Sequence, residues 1–192
     1  MRPDRQAATL YVFFGLIASG KSTLAEEFAR RRDFPYLNTD RVRKELAGLD
    51  PSSRRPDGYD QGIYSREFTR RTYQALLDRA REHLESGSRG VVLDGSYGSR
   101  EERARIAKLA ERCGADVFFI LCVCGEETVR ERLARRAADP LAVSDGRWDI
   151  YLVQRERFQP PTEVEPSRLL TLSTEEPVEA LLTRLEKVLA KE

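Results

Sequence analysis

Short apolar runs alternate with longer segments of helical periodicity along this 192-residue chain. The runs are rich in β-forming residues and end at glycine or polar positions, as buried parallel strands do. We predict five strands, at residues 10–15, 34–38, 90–95, 115–124 and 168–173.

The segments between these runs carry apolar residues three and four positions apart, which is typical of amphipathic helices. We predict six helices, at residues 22–32, 39–48, 64–87, 99–114, 126–137 and 177–191. Residues 50–62 combine proline, glycine and polar residues, so we predict a mobile loop there. Strands alternating with helices predict an α/β fold, in which residues 1–192 form a single domain, a three-layer sandwich with a five-stranded parallel sheet.

A glycine-rich segment follows the first predicted strand and reads FFGLIASGKST over residues 13–23. Its spacing, Gly15-x-x-x-x-Gly20-Lys21-Ser22, is typical of a loop that surrounds a polyphosphate with backbone N–H groups. In such a loop the lysine reaches the outer phosphates and the serine hydroxyl can bind Mg²⁺. The alternative is a glycine-rich turn that caps a helix, but the apolar strand before it and the amphipathic helix after it favour nucleotide binding. The residues predicted to bind the nucleotide here are Gly15, Ala18, Ser19, Gly20, Lys21, Ser22 and Thr23.

Asp40 is the best candidate for a catalytic base, because the single histidine of the chain, His83, lies within a predicted helix. It follows a strand that we expect to neighbour the glycine-rich loop. Arg43 lies one helical turn further on and points to the same side, so it could bind a phosphate. The alternative is that Asp40 caps a helix and has a neighbouring arginine.

A second carboxylate, Asp94, ends the third predicted strand. The carboxyl ends of parallel strands meet at one edge of the sheet, so Asp94 should lie near the glycine loop, in the Mg²⁺ shell or beside the substrate. Glycine follows it where a motor-type ATPase needs a water-activating glutamate, which argues against that class. Ser96, Tyr97 and Arg100 come next and could contact a substrate. The alternative is that these loops are merely polar.

Three arginines follow the fourth predicted strand, namely Arg132, Arg135 and Arg136. We predict a short helical lid at about residues 132–147, which places guanidinium groups on the nucleotide and the transferring phosphate. Arg132 and Arg136 are assigned to the nucleotide. The alternative is an exposed basic helix face, and the general excess of arginine over lysine supports that alternative.

The composition restricts the function further. The net charge is +1, which gives no electrostatic case for a protein that coats nucleic acid. No apolar run approaches 18 residues and the N-terminus lacks a secretory core, so we expect no membrane span and a cytoplasmic location. Three cysteines and one histidine indicate reduced thiols and no structural zinc.

The chain resembles the small P-loop kinases that include gluconate kinase, polynucleotide 5′-kinases and zeta-toxin-like proteins. It is most similar to bacterial ATP-binding kinase-like domains. The resemblance covers roughly residues 9–190 and rests on GLIASGKST, NTDRVRKEL, VVLDGSYGSREER, ERLARR and SDGRWDIYLVQRERFQPP.

The resemblance implies an ATP- and Mg²⁺-dependent enzyme that phosphorylates a hydroxyl group. Lys21 and Ser22 would hold the β- and γ-phosphates and Mg²⁺, Asp40 would be the base, and Arg43 a clamp on substrate or phosphate. Arg132 and Arg135 would be catalytic lid arginines. The acceptor stays open between a nucleic-acid 5′ end and a small hydroxylated molecule. A nucleotide-binding regulatory module with little turnover is the alternative to an enzyme.

Overall fold

The computed structural model describes residues 7–50, 62–138 and 147–190. Its five strands are β1 (Thr9–Phe14), β2 (Tyr36–Asn38), β3 (Gly90–Asp94), β4 (Asp116–Val123) and β5 (Leu169–Ser173). All neighbouring pairs are parallel, in the order β2-β3-β1-β4-β5. The predicted five-stranded parallel sheet is therefore confirmed.

Seven α-helices lie within the described residues: α1 (Lys21–Arg32), α2 (Thr39–Leu46), α3 (Arg66–Glu85), α4 (Arg100–Cys113), α5 (Glu126–Ala138), α6 (Trp148–Arg157) and α7 (Val178–Leu189). Two short 3₁₀ turns, Gly62–Tyr64 and Pro166–Arg168, precede α3 and β5. The ends of α4 follow from local chemistry. Ser99 and Glu102 form a capping box at its start, and Gly114 stops it with a φ of 61°.

Apolar side chains on the two faces of the sheet form separate cores. Alternate residues of β1 point to opposite faces: Leu10, Val12 and Phe14 pack with α3 and α4, whereas Phe13 packs with α1 and α7. A third, smaller cluster joins the loop after β1 to α5 and α6 through Ile17, Val129, Leu133 and Ile150, among others. The layers of the predicted sandwich are thus present, and α5 and α6 pack on the loop that follows β1.

The order of the strands was not predicted: β3 lies between β2, which precedes Asp40, and β1, which precedes the glycine-rich loop. Helix α6 was not predicted as a helix. Most of the predicted loop at 50–62, and residues 139–146 of the predicted lid, lie outside the described residues.

No helix in the described part of the chain combines the length and the apolar character needed to cross a membrane.

Candidate active site

The loop after β1 has the backbone shape that its glycines predict. Gly15 has a φ of 142°, and a Cβ atom there would lie 2.3 Å from the carbonyl oxygen of Cys122. Gly20 has a φ of 82° and forms the N-cap of α1. Ala18 also has a positive φ, 60°, which is uncommon for a residue with a Cβ atom. Only glycine fits both the conformation and the space at residues 15 and 20.

The outer side of this loop is held by α5 and by the end of β5. Nη1 of Arg132 donates to the carbonyl oxygen of Ala18 at 3.1 Å, and its Nη2 donates to the carbonyl oxygen of Thr174 at 2.6 Å. The hydroxyl of Thr174 donates to the carbonyl oxygen of Ser19. The loop carbonyl oxygens of Ala18 and Ser19 thus accept hydrogen bonds on the side away from the cleft, which holds the loop in this conformation.

The inner side of the loop opens into a cleft of about 1060 Å³. Gly15, Lys21 and Ser22 line this cleft, at the N-terminus of α1. Lys21 Nζ lies 3.4 Å from the carbonyl oxygen of Leu16, at the limit of a hydrogen bond. Thr23 is exposed and does not line the cleft, whereas Ala18 and Ser19 are buried in the loop itself. A helix N-terminus with a lysine and a hydroxyl is suited to bind phosphate groups.

Asp94 is fully buried at the carboxyl end of β3 and uses only one of its two oxygens. Its Oδ2 accepts hydrogen bonds from the hydroxyl of Tyr36 and from Nδ2 of Asn38, each at 2.6 Å. Its Oδ1 has no partner within the described residues. Burial, followed by the charge of Asp94, raises the pKa of Tyr36, so this phenol stays protonated and keeps donating.

The glycine after Asp94 is required by packing. A Cβ atom at Gly95 would lie 2.2 Å from Oγ1 of Thr39. Thr39 Oγ1 in turn donates to the carbonyl oxygen of Asp94 at 2.8 Å. A glutamate, as a motor-type ATPase needs there, does not fit at residue 95.

The structure excludes the reading of Asp40 as a helix cap. The N-cap of α2 is Asn38, whose side chain accepts a hydrogen bond from the N–H of Arg41 at 3.0 Å. Asp40 lies within the first turn, lines the cleft and has no hydrogen bond or ion pair within the described residues. Arg43 also lines the cleft but is not paired with Asp40. Its Nη1 lies 3.5 Å from Oγ1 of Thr69.

The three arginines that we predicted for the lid, all on α5, point in different directions. Arg136 lines the cleft, where burial lowers its pKa while the charges of Asp40 and Asp94 oppose that shift. Arg132 and Arg135 do not line the cleft. Arg132 holds the phosphate loop from behind and Arg135 is exposed. This placement differs from the expectation that Arg132 and Arg135 face the transferring phosphate.

Sequence reasoning missed several residues of the cleft. Oε1 of Gln154, on α6, accepts a hydrogen bond from the loop N–H of Ile17 at 2.9 Å. The hydroxyls of Tyr73 and Ser96 are 3.0 Å apart and both residues line the cleft. Of the residues proposed after β3, Ser96 thus lies in the site, whereas Tyr97 is buried and Arg100 is exposed. Gln154 belongs to the segment SDGRWDIYLVQRERFQPP, on which the family resemblance partly rests. That resemblance was the only feature of the sequence that pointed to Gln154.

Comparison with known proteins agrees with this geometry. Residues 10–161 match the AAA_33 family, which is described as an AAA domain. The chain belongs to the AAA_33 family. Uncharacterized proteins of Mycobacterium tuberculosis (strain ATCC 25618 / H37Rv) and Mycobacterium bovis are 31% identical over 141 residues, which is 68% of this AAA_33 chain. The match covers 28% of each relative, so the chain spans less than a third of their length.

Solved structures with a fold similar to that of this AAA_33 chain include proteins named as kinases. A Chloroflexus aurantiacus protein provisionally named a kinase gives a TM-score of 0.70 at 22% identity, covering 95% of this chain and 98% of that one. The Mycobacterium tuberculosis APS kinase, solved with AMPPNP and APS, gives 0.64 at 20%, covering 96% and 98%. A gluconokinase from Sinorhizobium meliloti gives 0.60 at 19%, covering 97% and 94%. These similarities confirm the predicted P-loop kinase fold.

Proposed function

We propose that this AAA_33 chain transfers the γ-phosphate of ATP to a hydroxyl group in an Mg²⁺-dependent reaction. The observation that carries the proposal is the state of Asp40. Its carboxylate lines the same cleft as the phosphate loop and forms no hydrogen bond or ion pair within the described residues. A carboxylate that neither caps its helix nor forms an ion pair is available to accept a proton.

The nucleotide would bind with its phosphates in the loop of residues 15–20. Lys21 and the N–H groups at the start of α1 would contact the β- and γ-phosphates. Arg136 would stabilise negative charge on the transferring phosphoryl group, because it is the α5 arginine that lines the cleft. We assign Arg132 a positioning role, since its hydrogen bonds are to the backbone of the loop and to Thr174. Nothing in its placement supports a role for Arg135.

Two residues fit a bound magnesium ion. Oδ1 of Asp94 is a buried carboxylate oxygen without a partner among the described residues, and the Ser22 hydroxyl lines the same cleft. Oxygen ligands of this kind suit Mg²⁺. When bound, the ion would neutralise charge on the β- and γ-phosphate oxygens. Tyr36 and Asn38 would orient Asp94 by holding its other oxygen.

The transfer step then follows from the residues present. Asp40 would accept the proton of the acceptor hydroxyl as the acceptor oxygen bonds to the γ-phosphorus. The bond between that phosphorus and the β–γ bridging oxygen breaks, and ADP leaves with the electron pair of that bond. Asp40 returns the proton to solvent. Lys21 and Arg136 would stabilise the charge that develops during this displacement.

A screen with γ-labelled ATP tests the proposal. Sugars, small alcohols and 5′-hydroxyl oligonucleotides would be offered to the wild-type chain and to Asp40→Asn. The asparagine keeps the size but removes the basic oxygen, so we expect transfer to fall by roughly 10²- to 10⁴-fold with ATP affinity little changed.

Asp149→Asn is the matched control, because Asp149 lies in the first turn of α6, is exposed and does not line the cleft. It should retain full transfer. Tight nucleotide binding without transfer to any acceptor would contradict the kinase assignment and favour a regulatory module. Equal turnover of wild type and Asp40→Asn would refute Asp40 as the base.

We further propose a cytoplasmic location. Cys113, Cys122 and Cys124 are all unbridged, and disulfides are rare in reducing compartments. ATP as the phosphate donor fits the same compartment.

A further inference from the structure

One face of α6 forms part of the wall of the cleft. Ile150, Gln154 and Arg157 line the cleft, together with Phe158, the residue at which α6 ends. The first three are four and three residues apart, so they lie on one stripe of the helix. Gln154 is at the centre of this stripe, between an apolar residue and a cationic one. A neutral amide is therefore presented to the cleft by a helix rather than by a loop.

The peptide group that joins Leu16 to Ile17 in the phosphate loop is contacted at both of its polar atoms. Its N–H donates to Oε1 of Gln154 at 2.9 Å, and its carbonyl oxygen lies 3.4 Å from Nζ of Lys21. Because the oxygen and nitrogen of one peptide group are about 2.3 Å apart, Lys21 Nζ and Gln154 Oε1 lie within roughly 9 Å of each other. Gln154 therefore lies close to the ammonium group that is assigned above to the β- and γ-phosphates.

The side-chain amide of Gln154 has one orientation that satisfies its contact with the loop. A backbone N–H needs an acceptor, so the amide oxygen faces Ile17 and the amino group does not. Nε2 makes no hydrogen bond within the described residues. The loop thus binds the acceptor end of this amide, and the two N–H donors at its other end are available to an anion in the cleft.

We propose that Gln154 binds the γ-phosphate: Oε1 holds the loop through the N–H of Ile17, and Nε2 donates to a γ-phosphate oxygen. This inference rests on the proposed kinase function and adds a residue to it. A phosphoryl group with a nitrogen donor on each of two sides spans roughly 8 Å between the donors. That span agrees with the limit on the separation of Lys21 and Gln154.

The proposed contact also gives the cleft a means to distinguish ATP from ADP. A transferring phosphoryl group spreads its charge over three equatorial oxygens. Lys21 and Arg136, assigned above to that charge, come from α1 and α5, and Gln154 adds a neutral donor from α6. ADP lacks the group that Nε2 contacts. Gln154 therefore stabilises the complex with ATP more than the complex with ADP.

Nucleotide binding to Gln154→Glu tests the contact without an acceptor. A carboxylate oxygen still accepts from the N–H of Ile17, so the loop keeps its hydrogen bond, but an anionic oxygen replaces the amino group. Titration calorimetry with Mg²⁺ compares AMPPNP with ADP. We expect the affinity for AMPPNP to fall at least about 10-fold and the affinity for ADP to change less than about 3-fold, because ADP has no γ-phosphate to repel.

Gln159→Glu is the matched control for the added charge. Gln159 also lines the cleft, and its Oε1 likewise accepts from a backbone N–H, that of Arg100 at 2.8 Å. Its own N–H donates to the carbonyl oxygen of Gly98, so it belongs to the loop after β3 and not to the phosphate loop. The ratio of AMPPNP to ADP affinity should stay within about 2-fold of wild type. The same change of ratio in both variants would reduce the effect to general charge and overturn the contact.

Gln154→Met separates donation to the nucleotide from support of the loop. Methionine has a similar length but removes both the acceptor and the donors. We expect AMPPNP affinity to fall more than ADP affinity, since both complexes lose the bond to Ile17 and only one loses the γ-phosphate contact. If Gln154 only supported the loop, Gln154→Met would weaken both nucleotides equally and Gln154→Glu would weaken neither, and either result overturns the proposal. Gln154 is only partly buried, so we expect both variants to fold.

The outcomes separate this proposal from the kinase function on which it rests. Failure to find any acceptor, with the AMPPNP-specific loss in Gln154→Glu, would overturn the kinase function and leave the γ-phosphate contact intact. Asp40-dependent transfer, with AMPPNP and ADP equally affected by Gln154→Glu, would overturn the contact and leave the kinase function intact. Unchanged nucleotide affinities with a raised KM for the acceptor would assign Nε2 to the acceptor and also overturn the contact.

Discussion

At the scale of single residues, Asp94 combines full burial with an unequal use of its two oxygens. Two donors hold Oδ2 and none within the described residues reaches Oδ1. In Asp94→Asn the amide oxygen can still accept from Tyr36 and Asn38, but an amide nitrogen replaces Oδ1 and cannot bind a cation. We expect the Mg²⁺ concentration for half-maximal binding of AMPPNP to rise about 10- to 100-fold, as measured by titration calorimetry.

Asp116→Asn is a suitable control for that experiment. Asp116 is another strand aspartate, but it begins β4 at the opposite edge of the sheet and pairs with Arg168. It should leave the Mg²⁺ requirement unchanged. An unaltered requirement in Asp94→Asn would show that Asp94 is not a magnesium ligand.

The positions of the two loop glycines were predictable from the sequence, but the direction of the α5 arginines was not. Gly15 and Gly20 stand at positions where the backbone shape excludes a side chain, so spacing alone locates them. Arg132, Arg135 and Arg136 all looked alike on a basic helix. Their directions depend on the buried stripe of Val129 and Leu133, which sets the rotation of α5. At 100° per residue, Arg136 lies close to that stripe and Arg135 on the far side.

At the scale of elements, Arg132 joins α5 to both the phosphate loop and the end of β5. Its guanidinium donates to Ala18 and to two oxygens of Thr174. Arg132→Gln removes the guanidinium group that bonds all three acceptors, and it leaves partly buried carbonyl groups without a donor. We expect a loss of about 1–3 kcal/mol in the free energy of unfolding and a fall in ATP affinity of roughly 10-fold, because the loop is no longer held in one conformation.

Chemical denaturation and nucleotide titration measure the two effects of Arg132→Gln. Arg135→Gln, one turn along the same helix and exposed, should change neither quantity. Loss of transfer with unaltered stability and ATP affinity would instead assign Arg132 a direct role on the phosphate.

Helix α6 was beyond sequence reasoning for a physical reason. Its two buried residues, Ile150 and Tyr151, are adjacent and do not form a stripe over several turns. They pack in the small cluster with the phosphate loop and α5, which no local periodicity reveals. Gln154 on this helix binds the N–H of Ile17, so an element missed by the sequence contributes directly to the loop.

At the scale of the whole molecule, the alternation of strands and helices predicted the parallel sheet but not the order of its strands. Hydrophobic periodicity indicates which segments form strands, but it does not indicate which strands pair with each other. Placing β3 between β2 and β1 puts Asp94 beside Asn38 in the register of the sheet. The contacts of Asp94 with Tyr36 and Asn38 depend on that order, so the sequence predicted the carboxylate but not the side chains that orient it.

The interior also predicts how the stability of the molecule depends on alkaline pH. Burial raises the pKa of the Cys122 thiol to about 12 from an ordinary value of 9.0. Burial likewise raises the pKa values of Tyr36, Tyr73 and Tyr97. Between pH 9 and 12 the unfolded chain therefore loses the Cys122 proton while the native chain keeps it. The unfolded state binds fewer protons in that window, so the free energy of unfolding decreases as pH rises.

Cys122 alone should lower the free energy of unfolding by roughly 1.4 kcal/mol per pH unit above pH 9, and its stabilising effect is fully present below that pH. Urea denaturation followed through the fluorescence of Trp148 at several pH values measures the slope. Cys122→Val keeps a buried apolar side chain of similar size and removes the ionisable group. We expect this variant to lose that part of the slope while the tyrosine contribution above about pH 10 persists. Identical slopes in the two proteins would mean that Cys122 ionises as readily in the native core as in the unfolded chain.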